Sequence, residues 1–357
     1  MVRRSVLLPA WPVATNTAGL NGARPGGGSR HDRQGLFHSK RSPFYAWCHR
    51  LIPNTTDLVE GWRGMTVGGI VLTRLYVPAD RPDRARKAFA SSADVVILDL
   101  EDAVTTSAKH GARRSIPDLL AASEGRPLEV RVNALSTVWG VPDLEAIAPL
   151  PAEVGVQLPM VSSPTEVESA QRIVGDRPVH VLVETAAGIE ALGEIAAVPG
   201  VASIGLGEVD LSADLGVTSD DGLAWCRQRV IVAARAAGLP PPNAAVYPNI
   251  DDVEGLAEST SRARDWGFVG RAAIHPRQLP VIEMAFAPMS GEIQRARQVL
   301  DTVAAASARG HGTSTLPDGS FLDIAMIRQA RRVLALHERA QRPGSAGVAD
   351  SSRPPRL

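Results

Sequence analysis

Acidic residues gather where apolar runs end. The stretch VVILDLEDAV at 95–104 begins as a buried strand and then delivers Asp99, Glu101 and Asp102 within four positions. Carboxylates crowded in this way repel one another unless a cation faces them. The run LEVRVNA at 128–134 brings Arg131 and Asn133 to another strand end. Glu184 ends VHVLVE, Glu208 and Asp210 follow VASIGLG, and His275 ends RAAIH. Glu184 and Asp210 lie 26 residues apart (210 − 184), about one strand plus one helix, so they are expected side by side on neighbouring strand ends. Two carboxylates with no histidine or cysteine beside them suit a hard divalent ion; Mg²⁺ takes one or two and keeps positions for water and substrate. Equally, Glu184 could cap a helix beginning near Thr185, and Asp210 one at Leu211. Spacing alone leaves both readings open.

The elements that must position these groups read as short β-rich runs alternating with Ala-rich helical stretches. Strand candidates fall at 71–77, 94–100, 128–134, 154–160, 179–184, 201–207, 243–248 and 271–275. Their starts are mostly roughly 20 to 30 residues apart, one strand, one helix and two short connections. Eight such units predict an α/β (β/α)8 TIM barrel, with the helical DGSFLDIAMIRQARRVLA as a C-terminal extension. A doubly wound open sheet is the competitor. In a barrel, chemistry belongs where strands end, and the polar groups named above all lie there.

Bulk composition adds exclusions. The 357 residues hold 38 basic and 38 acidic side chains, so nothing in net charge points to a nucleic-acid or anionic-membrane partner. Cys48 and Cys226 have no metal-type spacing. No apolar run reaches the roughly 18 residues of a membrane span, and the default setting is cytoplasmic. Residues 1–50 carry eight Lys/Arg against the single acid Asp32, which fits a disordered N-terminal extension (1–68) better than a transit peptide. Met65 would make a natural start for the folded part, and the glycines at 26–28 open no helix, so they make no phosphate loop. The expected organisation is then a barrel at 69–290, a helical segment at 291–338 and a disordered tail at 339–357.

Five collinear segments carry a resemblance: LYVPADRPDRARKAFASSADVVILDLEDAV, VRVNALSTVWG, VLVETAAGIEAL, GLGEVDLSADLG and GFVGRAAIHPRQ. Together they resemble the citrate lyase beta-subunit-like family of the HpcH/HpaI aldolase superfamily, nearest to its stand-alone CoA-ester lyases. The likeness runs from about residue 71 to 337. It implies that Glu184 and Asp210 bind Mg²⁺ and that Arg131 contacts the substrate and the metal-bound keto acid. It also implies that Asp323 serves in proton transfer at a neighbouring subunit's site, in a homo-oligomer, commonly a trimer. The implied reaction splits a 3-hydroxy dicarboxylyl-CoA (malyl-, citramalyl- or citryl-CoA) into an acyl-CoA and a 2-keto acid.

Glu101 and Asp102 are expected beside the Mg²⁺ site, holding its waters or orienting Arg131; otherwise Asp102 merely caps the following helix. One departure stands out: where family members often have Lys and Glu in LPKVES, this chain has Met160 and Ser162. His275 is expected to lock its loop, and Trp139–Gly140 to shape the mouth of the site. Arg81, Arg84 and Lys87, like Arg227 and Arg229, are expected on solvated helix surface rather than on CoA phosphates. Competing functions are a synthase or thioesterase on the same site, an aldolase of free hydroxy-keto acids, and a non-catalytic subunit binding an acyl carrier protein.

Overall fold

A computed structural model of the chain describes residues 70–308, 315–316, 319–320 and 322–341. The expected N-terminal extension, with Cys48 and the 26–28 glycines, and residues 342–357 of the expected tail lie outside the described residues.

Eight strands alternate with helices as the sequence predicts. They are β1 (Thr73–Pro78), α1 (Pro82–Phe89), β2 (Val95–Asp99), α2 (Lys109–Ala122), β3 (Leu128–Arg131), α3 (Gly140–Ile147), β4 (Gly155–Leu158) and α4 (Pro164–Val174). Then come β5 (Val179–Val183), α5 (Ala186–Ala196), β6 (Val201–Leu206), α6 (Glu208–Leu215), α7 (Ala224–Ala236), β7 (Asn243–Ala244), α8 (Val253–Trp266), β8 (Gly270–Ala273) and α9 (Leu279–Phe286). Every strand pair is parallel, in the order β6-β5-β4-β3-β2-β1-β8-β7. This is a nearly closed (β/α)8 barrel, not an open doubly wound sheet. Strand β7 spans two residues rather than the expected six; the expected run ends on Pro248, which has no N–H to give a ladder.

Register explains which side chains face inward. Partners in a parallel ladder, and residues two apart along a strand, point the same way, which puts Arg74, Tyr76, Ile97, Asp99, Glu129, Arg131, Gln157 and His180 on one face of β1 to β5. The outward residues, such as Leu75, Val77, Leu98, Val130 and Val181, are buried under the helices. The barrel interior is therefore polar. Near its floor Glu129 pairs with Arg74 at 3.1 Å and lies 3.3 Å from His180 Nε2, while His180 Nδ1 is 2.8 Å from Ser203 Oγ. Gly155 makes room for this layer: a Cβ there would sit 2.9 Å from His180 Nε2.

Two further helices follow the barrel, α10 (Ser290–Ala308) and α11 (Ile324–Ala340), packed on each other through Ala296, Val299 and Ala330. Arg332 donates to the Phe268 carbonyl at 3.0 Å, and Arg339 Nε to Asp94 Oδ1 at 2.7 Å. Phe268 and Asp94 both precede strands, so α11 is tied to the barrel's N-terminal face. The helix runs past residue 338, the expected end of the ordered chain, because buried Arg339 is one of its anchors.

Candidate active site

Arg131 is the cation that the three acids face. At the end of β3 it forks onto Asp99 at the end of β2, Nε to Oδ1 at 2.8 Å and Nη2 to Oδ2 at 2.6 Å. Its Nη1 lies 2.8 Å from Glu101 Oε2 and 3.6 Å from Asp102 Oδ2. The guanidinium also sits 4.9 Å from the Tyr76 ring centroid, and Tyr76 is held by its hydroxyl on Gln157 Oε1 at 2.6 Å. Burial alone would depress the Arg131 pKa; the hydrogen bonds and charge of Asp99, with Glu101 and Tyr76, reverse this and hold it above its usual range.

Asp99 organises this end of the barrel although nothing in the sequence sets it apart from Glu101 and Asp102. It is 1% exposed, and besides Arg131 it accepts the amides of Glu101 at 2.9 Å and Ala103 at 3.2 Å. One carboxylate thus orients both the arginine and the acidic loop. Lys109 fixes the same loop from behind, donating to the carbonyls of Leu100 at 3.0 Å and Glu101 at 2.9 Å, 5.4 Å from the Trp139 ring. Asn133 adds a bond to Leu100 O at 2.9 Å and is itself held by Asp143. Asp102 caps nothing: the next helix begins at Lys109 behind Ala108, and the Asp102 side chain is 70% exposed at the rim.

Glu184, directly after β5, is buried. It is not the cap of α5; Thr185 is, accepting the Gly188 amide at 3.1 Å. Glu184 Oε2 accepts the Met160 amide at 2.6 Å, while Oε1 takes no hydrogen bond among the described residues and lies against Gly207, where a Cβ would overlap it. Gly207 begins the turn that carries Asp210. Helix α6 starts at Glu208, not Leu211, so Asp210 stands exposed in its first turn rather than capping it.

Charge links these groups into one site. Burial lifts the Glu184 pKa to about 7; the Met160 amide and Arg131 oppose this, and Asp210 and Asp102 add to it. Burial likewise lifts Glu101 to about 8, against Arg131 and with the charges of Asp102, Glu184 and Asp99. Such surplus negative charge suits a divalent cation. Among the described residues no group of three His, Cys, Asp or Glu side chains could hold a metal. The free Glu184 Oε1 and the exposed Asp210 therefore fit an ion that keeps most of its water, and not one needing an all-protein cage.

Other expected residues fall differently. Asp323 caps α11, accepting the Met326 amide at 2.8 Å, and α11 is bound to the face opposite the rim, so this chain does not bring Asp323 to Arg131 and Glu184. Arg227 is not solvated: it is buried, forked onto Glu208 at 2.8 and 2.6 Å and bonded to Asp220 Oδ1 at 2.7 Å. Arg81 pairs with Asp83 at 3.0 Å on exposed surface, and Arg84 and Lys87 are exposed. His275 locks its turn, accepting the Arg277 amide at 3.1 Å.

Comparison with known proteins agrees with this geometry. The profile of the HpcH/HpaI aldolase/citrate lyase family matches residues 72–276. A (3S)-malyl-CoA thioesterase of Cereibacter sphaeroides is 35% identical over 273 residues, covering 74% of this chain and 93% of the relative. An L-malyl-CoA/beta-methylmalyl-CoA lyase of the same organism is 30% identical, over 73% of this chain and 92% of the relative. The crystal structure of CitE from Mycobacterium tuberculosis in complex with magnesium, acetoacetate and coenzyme A superposes with a TM-score of 0.64 at 35% identity, over 76% of this chain and 99% of that one. By its barrel, its rim and these likenesses, the chain belongs to the HpcH/HpaI aldolase/citrate lyase family.

Proposed function

We propose that this chain is a Mg²⁺-dependent carbon–carbon lyase that cleaves a 3-hydroxy dicarboxylyl-CoA of the malyl-, citramalyl- or citryl-CoA type to an acyl-CoA and a 2-keto acid. The observation that carries the reading is the coupling of Glu184, Asp210 and Arg131 at one rim, together with relatives that act on malyl-CoA and a structural neighbour that binds magnesium and coenzyme A.

Glu184 and Asp210 would hold the ion, Glu184 through its free Oε1. When bound, Mg²⁺ supplies a Lewis acid and a template for the substrate carboxylate and the oxygen beside it. Arg131, fixed by Asp99, adds positive charge where oxygen becomes anionic; one such group typically contributes about a hundred- to a thousandfold in rate. Its Nη1 end meets Glu101 Oε2 without an aligned hydrogen bond, so this end is the one left for a substrate oxygen. Glu101 and Asp102 keep Arg131 in place. As the bond breaks, the hydroxyl oxygen gives up its proton to solvent, and the carbon beside the thioester takes one up. Asp323 of a neighbouring copy is assigned that transfer, which requires a homo-oligomer, in this reading a trimer. A cytoplasmic setting belongs to the same proposal.

A second reading, thioester hydrolysis, is favoured by one observation: a relative at 35% identity is a malyl-CoA thioesterase. Incubation with the three CoA esters, with Mg²⁺ or with chelator, separates the two. Keto acid without free thiol supports the lyase, free thiol alone supports the thioesterase, and neither product with any ester refutes both.

A further inference from the structure

Met160 lies beside the carboxylate assigned to the metal, in a conformation that the fold imposes. Its φ of 56° is in the left-handed region, one of two such non-glycine residues among those described. The turn is fixed from every side. Met160 N–H is on Glu184 Oε2 at 2.6 Å, Val161 N–H on the Leu182 carbonyl at 3.1 Å, and Ser162 Oγ 2.9 Å from Thr185 Oγ1. Helix α5 presses on it so closely that a Cβ on Gly188 would overlap the Val161 carbonyl. The Met160 side chain nevertheless stays 38% exposed. Backbone strain held beside reactive groups marks a functional constraint, and here it puts an uncharged, exposed thioether side chain on the residue whose amide holds the Glu184 carboxylate.

The surrounding charge defines what this thioether can meet. Asp99, Glu101 and Asp102 contact the guanidinium of Arg131, and the charges of Glu184 and Asp210 add to them, so the rim holds surplus negative charge and Arg131 keeps only its Nη1 end for a substrate oxygen. A divalent ion on Glu184 and Asp210 offsets the surplus enough for one substrate carboxylate bound to that ion. A second free carboxylate beside Met160 would find an apolar side chain with no donor, inside an acidic ring. Hydrogen or a methyl group would find a soft, adaptable surface.

We propose that Met160 is a specificity-determining residue that restricts the substrate to hydroxyacyl-CoA esters with one free carboxylate. The hydroxyl-bearing carbon then carries hydrogen or methyl, as in malyl- or citramalyl-CoA, and not the carboxymethyl group of citryl-CoA. This inference rests on the Mg²⁺-dependent reading above.

The test is kcat/KM of the full-length protein on the three esters, with wild type, Met160→Gln and Met160→Lys, each checked for folding by thermal melting. Wild type is expected to favour malyl- or citramalyl-CoA over citryl-CoA by about a hundredfold. Met160→Lys is expected to move the citryl-to-citramalyl ratio toward citryl-CoA by at least about tenfold, with Met160→Gln in between. Equal use of all three esters by wild type, or a ratio unchanged in folded Met160→Lys, overturns the proposal. Calorimetric titration of the Mg²⁺-loaded protein with glyoxylate, pyruvate and oxaloacetate reads the same selectivity without turnover. If no ester is converted, the reaction assignment fails, while tighter binding of oxaloacetate than of pyruvate is what would overturn the role of Met160.

Discussion

Both carboxylate oxygens of Asp99 serve two masters at once: Oδ1 accepts Arg131 Nε at 2.8 Å and the Glu101 amide at 2.9 Å, and Oδ2 accepts Arg131 Nη2 at 2.6 Å and the Ala103 amide at 3.2 Å. The acidic loop and the arginine are thereby set relative to each other by one buried side chain. Asp99→Ala is expected to lower kcat/KM by about a hundredfold or more through loss of Arg131 positioning. The same change should destabilise the fold by about 3–5 kcal/mol, since it leaves a buried guanidinium without its partner. Steady-state kinetics and urea unfolding check the two effects.

Stability without metal should depend on pH through Glu184 and Glu101. Burial raises these groups to about 7 and about 8, above the ordinary carboxylate value of 4.5. A group raised on folding stabilises below its unfolded pKa, and that contribution is lost as pH rises through its folded pKa. The metal-free protein should therefore lose Tm as pH rises from 4.5 to about 8. Mg²⁺ should restore it, because ligand carboxylates bind the ion only when deprotonated. Calorimetric melting with Mg²⁺ and with chelator across this window measures both, and proton release on Mg²⁺ addition is the accompanying signal.

His180 acts in the opposite direction. Burial, with help from Arg74 and against Glu129, depresses it from 6.5 to about 4. The unfolded chain then binds the extra proton first, so the stability it contributes is present above 6.5 and lost as pH falls through about 4. His180→Asn should flatten the acid limb of the stability curve at a cost to the neutral plateau. Urea midpoints at the two ends of the window show this.

Arg227 clamps Glu208, the first residue of α6, to Asp220 beyond the end of that helix, and α6 carries Asp210. Lysine cannot reproduce that fork. Arg227→Lys is expected to weaken Mg²⁺ binding by about 10- to 100-fold, with kcat largely recovered at saturating Mg²⁺. Metal titrations at two protein concentrations, paired with kinetics, resolve the split.

Much of this architecture was legible because it is local. The eight β-rich runs fix the barrel, and the crowding of Asp99, Glu101 and Asp102 demands a cation that only register could identify as Arg131. What was illegible depends on distant pairing. Arg74, Glu129 and His180 look like ordinary alternation within their strands, yet the ladder stacks them inside the barrel. Arg227 sits on a helix that reads as amphipathic surface, and its partners lie across a loop. Helix α6 begins before Asp210 because Gly207 starts it without any side-chain cap, a start with no sequence signature. Asp323 shows the opposite limit: a cap and a catalytic acid look alike in sequence, and a single chain displays only the cap.

Isothermal titration of Mg²⁺ into wild type, Glu184→Gln and Asp210→Asn, with Asp323→Asn as comparison, reads the proposed ion site itself. One site per chain is expected, weakened by at least about a hundredfold in both carboxylate variants and kept in Asp323→Asn. Wild-type affinity in folded Glu184→Gln and Asp210→Asn would contradict it.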